Sequence, residues 1–87
     1  MPYIAANRRG IINLITDKLV DEIRTDGELN YAVTMLVQKY FVSSDGIFSY
    51  FTLERIIGLL ECVKLEIYRR LGAPMEDKKK NENGDVF

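Results

Sequence analysis

Apolar side chains recur along this chain at helical intervals, and the recurrence divides it into three segments. Between Arg9 and Arg24, Ile12, Ile15, Leu19 and Ile23 follow the i, i+3/i+4 spacing and Ile11 widens their stripe. Asn13, Asp17, Asp21 and Arg24 fall on the other side. The pattern predicts an amphipathic helix over 9–24 that turns its apolar face to a core.

A second helix is predicted over 27–41. Thr25 and Glu28 stand in capping-box spacing, with Asp26 and Gly27 between them marking a start. Leu29, Val33, Leu36, Val37 and Tyr40 form its buried stripe. Tyr31 and Met35, four residues apart on the opposite face, make a pair of large side chains that reads either as a second contact surface or as ordinary exposed apolar groups.

Ser43, Ser44, Asp45 and Gly46 interrupt the period. An Asp-Gly step between aromatic-rich flanks also allows a short β-hairpin over 40–50, although a loop is preferred because a lone two-stranded hairpin is marginal in water. The third helix is predicted over 52–71, with Thr52 as its cap and Leu53, Ile56, Ile57, Leu60, Val63, Ile67 and Leu71 along one stripe. Gly72 followed by Pro74 reads as its stop. The expected fold is therefore all-α: a three-helix domain over 1–74 and a charged tail over 75–87.

The stripe of the third helix is broken by Lys64, which falls between Ile57 and Leu60 on one side and Tyr68 and Leu71 on the other. Its stem can lie along apolar surface while the ammonium reaches water or Glu61. Alternatively, Lys64 lines a polar pocket with Glu61 and Tyr68. Gly58 and Cys62, with Leu65 beside them, leave room for another helix to approach, and a glycine inside a helix costs about 1 kcal/mol relative to alanine. A homodimer across this helix is the expectation. Arg69 and Arg70 suit the negative end of the helix dipole, Glu66 is placed to pair with Arg70, and the two guanidiniums near Lys64 and Tyr68 could hold a phosphate. The tail ends Asn83-Gly84-Asp85-Val86-Phe87, where a glycine turn before two apolar residues could hook the terminus onto the body or onto a neighbouring subunit.

With 87 residues, the chain suffices for one small domain, which buries only about 60% of its unfolded surface. Domains of this size often rely on disulfides, a metal or self-association, and one cysteine with no histidine leaves the last. Lys plus Arg number 12 against 13 Asp plus Glu, so the chain lacks the basic footprint that duplex nucleic acid requires. No apolar run approaches the roughly 18 residues of a membrane span, and no signal peptide is visible. A cytoplasmic protein is expected, with Cys62 a small buried hydrophobe.

Catalysis is not expected. A nucleophile with its base, a metal-ligand cluster and a glycine-rich phosphate loop are all missing from the sequence, and the absence of His removes the commonest general base and metal ligand together. No cofactor and no catalytic residue is therefore assigned.

Met1-Pro2-Tyr3-Ile4, Gly27-Glu28-Leu29-Asn30-Tyr31, the run from Gly58 to Arg70, Glu76-Asp77-Lys78 and Asn83-Gly84-Asp85-Val86-Phe87 resemble an uncharacterised group of small proteins from tailed phages and prokaryotic genomes. Met75 and Phe87 stand where that pattern has tyrosines. The resemblance implies a host-cytoplasmic protein of host takeover or counter-defence, by fold-level analogy. Two expectations follow. One is a homo-oligomeric sponge that sequesters a phosphate-bearing nucleotide second messenger through Glu61, Lys64, Tyr68, Arg69 and Arg70. The other is an adaptor or inhibitor that grips a host or phage protein through Tyr31, Met35 and the Val86-Phe87 terminus; Gly58, Cys62 and Leu65 belong to the homodimer flank of the third helix.

Overall fold

A computed structural model describes residues 2–42, 46 and 48–87. Among them the chain is all-α and contains no strand: α1 spans Ala6–Glu22, α2 Asp26–Phe41, α3 Tyr50–Ile67 and α4 Ala73–Asn83, with a π-helical turn over Tyr68–Gly72 between the last two. The chain divides into two units, Met1–Ile56 and Ile57–Phe87. Among the described residues no helix is long and apolar enough to cross a membrane.

In the first unit, α1 begins three residues before the predicted Arg9. Its N-cap, Ala5, makes no side-chain cap bond, and Arg9 Nε donates to the Ile4 carbonyl at 3.0 Å. The entry to α2 is more strongly fixed. Thr25 Oγ1 accepts from the Glu28 N–H at 3.1 Å, and Glu28 Oε1 accepts from the Arg24 N–H at 2.8 Å. The predicted capping box thus closes one residue wider than usual, on Arg24 instead of Thr25. By holding Arg24, it also ends α1 at Glu22 and keeps Ile23 extended.

The start of α3 differs from expectation. Ser49, not Thr52, is the capping residue: its Oγ accepts from the Thr52 N–H at 3.2 Å and its carbonyl accepts from the Leu53 N–H at 3.0 Å. Thr52 sits at the third helical position, with its hydroxyl 3.2 Å from that of Ser49. Of the hairpin considered over 40–50, Tyr40 and Phe41 belong to α2 and Tyr50 opens α3; Ser43, Ser44, Asp45 and Ile47 lie outside the described residues.

The predicted stop at Gly72 and Pro74 is a correction. The backbone remains helical through both, and α4 carries most of the expected tail. Proline has no N–H to donate and its ring crowds the carbonyl one turn back. The π turn accommodates this by widening the preceding turn, so that the Ala73 N–H reaches the Tyr68 carbonyl, five residues earlier. Pro74 then occupies the first turn of α4, where the missing donor costs least. Gly84 ends α4 with φ 92° and ψ 150°, its N–H bonded to the Lys80 carbonyl at 2.8 Å.

The larger correction concerns the core. No described residue is buried. Ile12, Ile15, Leu29, Val33, Leu36 and Tyr40 are exposed, and Leu19, Ile23 and Val37 are half-buried. Within the first unit α1 and α2 do not pack face to face. Helical spacing fixes which side chains share a face, and it says nothing about what covers that face.

Candidate functional site

The C-terminal turns of α3 bring together most of the side chains assigned to a ligand. Lys64 Nζ lies 2.9 Å from Glu61 Oε1, and the two side chains are 68% and 51% exposed. The ammonium therefore reaches both its acidic neighbour and water. An exposed pair of this kind contributes about 0–1 kcal/mol and is readily exchanged for another partner.

Glu66 pairs with Arg69, not with Arg70 as expected from spacing. Arg69 Nη2 donates to Glu66 Oε1 at 2.7 Å and Arg69 Nε to Glu66 Oε2 at 3.3 Å, a two-pronged fork on a carboxylate that is only 23% exposed. Arg69 is thereby held along the helix. Arg70, the next residue, has no ion-pair partner among the described residues and stands open to solvent.

Tyr68 opens the π turn and its ring lies against Gly72. The ring is more than half exposed. Lys64, Tyr68, Arg69 and Arg70 are each exposed within the last turn of α3 and the π turn that follows it. Arg70 and Lys64 supply the cations most available to an anion, and Tyr68 supplies a face for stacking. Among the described residues no three His, Cys, Asp or Glu side chains are placed to hold a metal.

The residues assigned to interfaces are open in the single chain. Cys62 is an exposed free thiol, contrary to the expectation of a buried one. A Cβ added at Gly58 would meet nothing within 4 Å, and Leu65 is exposed. Tyr31 is exposed and Met35 half-buried, so the pair is not equally presented. Val86 and Phe87 are fully exposed. The Gly84 turn and a bond from the Phe87 N–H to Asp85 Oδ1 at 2.9 Å bend the terminus beside α4, where Glu76, Lys80, Asn83 and Phe87 border a hollow of about 350 Å³.

One cluster was missed in the sequence. The Arg55 guanidinium lies 5.1 Å from the Phe41 ring centroid and 5.8 Å from that of Phe51, tying the end of α2 to the start of α3 within the first unit. Phe51 and Arg55 are four residues apart on one helix, which was a legible signal; Phe41 was not, because it lies on another helix and no local spacing ties it to Arg55.

No curated protein and no solved structure matches the chain. A family model described as a domain of unknown function (DUF6899) matches residues 1–86, and the chain belongs to that family.

Proposed function

We propose that this chain is a non-enzymatic binding protein that works as a homo-oligomer and holds a phosphate-bearing nucleotide signal without turning it over. The observation that carries the reading is the exposure of the large apolar side chains on every stripe of α1, α2 and α3. Ordering one residue costs roughly 1–2 kcal/mol in backbone entropy, and burial of such stripes is the main term that offsets it. Copies of the chain supply that burial.

The nucleotide is read from Lys64, Tyr68, Arg69 and Arg70. Guanidinium forks and an ammonium match phosphate oxygens, and an exposed ring matches a base. The phage setting implied by the family resemblance makes such binding a counter-defence: a sponge in the host cytoplasm that removes an immune messenger stoichiometrically. Calorimetry of the folded protein against cyclic dinucleotides and ADP-ribose-derived cyclic nucleotides tests this. Saturable binding with the nucleotide recovered unchanged supports a sponge; turnover, or no heat with any of them, contradicts it.

A second reading is favoured by the exposure of Tyr31, Val86 and Phe87. These residues would dock an adaptor or inhibitor on a host or phage protein, since exposed apolar patches rimmed by polar groups commonly mark such sites. Replacing Tyr31 and Phe87 by alanine should then release the protein captured by the wild-type chain, while nucleotide binding is unchanged.

A further inference from the structure

Within the second unit, Ile57, Leu60, Lys64 and Ile67 recur on α3 at intervals of three, four and three. This alternation is that of the a and d positions along a coiled-coil seam, and one lysine in such a seam sets partner register and orientation. Ile57 is 57% exposed and Ile67 55%, with Leu60 half-buried between them, so both ends of the seam are open. The π turn begins at Tyr68 and ends the regular register directly after Ile67.

The four positions are symmetric about residue 62. When two copies of α3 lie antiparallel about that point, Ile57 of each faces Ile67 of the other, and Leu60 faces Lys64. Glu61, next to Leu60, then comes beside the ammonium of Lys64 from the second copy. A parallel pairing would instead set Lys64 against Lys64, with like charges opposed at the centre of the seam. The intrachain Glu61–Lys64 pair is exposed and can exchange partners across the seam at small cost.

We propose that the occupant of this face is a second copy of the chain, docked antiparallel through Ile57, Leu60, Lys64 and Ile67, with Glu61 and Lys64 paired reciprocally between copies. This rests on the homo-oligomeric reading above, adds its register, and gives Glu61 and Lys64 to the seam, so that Tyr68, Arg69 and Arg70 remain for the nucleotide. Cys62 lies on the far side of α3 from the seam, as do Gly58 and Leu65, so the pairing face differs from the flank expected from the sequence, and the thiol is exposed.

Single-cysteine variants test the register in the full chain. In a Cys62→Ser background, Ile57→Cys and Ile67→Cys are prepared separately, then mixed and oxidised; helix content and sedimentation are followed in the same samples. A covalent dimer is expected in the mixture and not from either variant alone, because only the mixed pair comes within the roughly 4.4–6.8 Å between Cα atoms that a disulfide spans. Cross-linking of Ile57→Cys with itself, or none in a mixture that sediments as an oligomer, overturns the register and leaves self-association standing. A monomer overturns both. Charge reversal gives a second reading that needs no cysteine. Lys64→Glu should weaken association by at least about tenfold through like charges at the seam, and adding Glu61→Lys should restore it; failure of the double variant to recover contradicts the pairing.

Discussion

The ring of Tyr68 fills the space that a side chain on Gly72 would need: a Cβ there would fall 2.5 Å from Cδ2 of the ring and 3.1 Å from Cγ. These atoms lie near the ring's attachment to the backbone, so a small shift of the ring tip does not relieve the overlap. Both residues belong to the π turn, and their contact fixes how Tyr68 is presented beside Arg69 and Arg70.

Gly72→Ala should therefore destabilise the protein by roughly 1–3 kcal/mol, the usual range for overpacking. In a Tyr68→Ala background the same change should stabilise it by about 1 kcal/mol, the ordinary gain of alanine over glycine in a helix. Denaturant midpoints of the four proteins measure the reversal. If Gly72→Ala stabilises both backgrounds alike, the ring does not lie where it is described.

Thr25→Ala should cost about 1 kcal/mol through loss of the N-cap of α2. Glu28→Ala should cost a similar amount, because it frees the Arg24 N–H that its carboxylate accepts from. The two effects should fall short of additive in the double variant, since both side chains hold the same turn. Chemical denaturation at one fixed protein concentration reads all three.

These caps and helices were legible because their determinants are local. The spacing of Thr25 and Glu28 was enough to place the start of α2 within one residue, and the apolar period placed α3. Two things could not be read that way. Gly72 and Pro74 form a stop signal in isolation, yet a π turn just upstream lets the helix continue, and that depends on how Tyr68 and Gly72 fit in space. The faces predicted to meet a core also proved open, because Ile12, Leu29 and Ile57 share their spacing with buried residues whatever covers them. At the candidate site, spacing brought Glu61 to Lys64 correctly, but it assigned Glu66 to Arg70 when the fork is made by Arg69.

Arg70 and Arg69 should behave differently in nucleotide binding. Arg70 has no carboxylate partner among the described residues, so Arg70→Ala should weaken binding by about tenfold or more, the loss of a charge-assisted hydrogen bond. Arg70→Lys should recover only part, since lysine lacks the planar fork. Arg69→Ala also breaks its fork on Glu66 and should lower helix stability as well as affinity. Calorimetry alongside thermal melts separates the two; unchanged affinity in Arg70→Ala removes this residue from the site.

Gly84 has φ 92° and ψ 150°, a region that residues with a Cβ occupy only at a cost of roughly 1–3 kcal/mol. Gly84→Ala should redirect residues 85–87 where they leave α4 without lowering the melting temperature of the helices. Amide exchange at Phe87, whose N–H is bonded to Asp85, should quicken. An unchanged exchange rate there would place the turn's origin elsewhere.

The central claim is that copies of this chain cover one another's apolar helix faces, and sedimentation equilibrium from low to high micromolar concentration tests it most directly. The predicted result is a mass at least twice 10.0 kDa, with dissociation on dilution accompanied by loss of helix and a melting temperature that rises with concentration. A helical species of 10.0 kDa at every concentration, melting cooperatively at one fixed temperature, would contradict it.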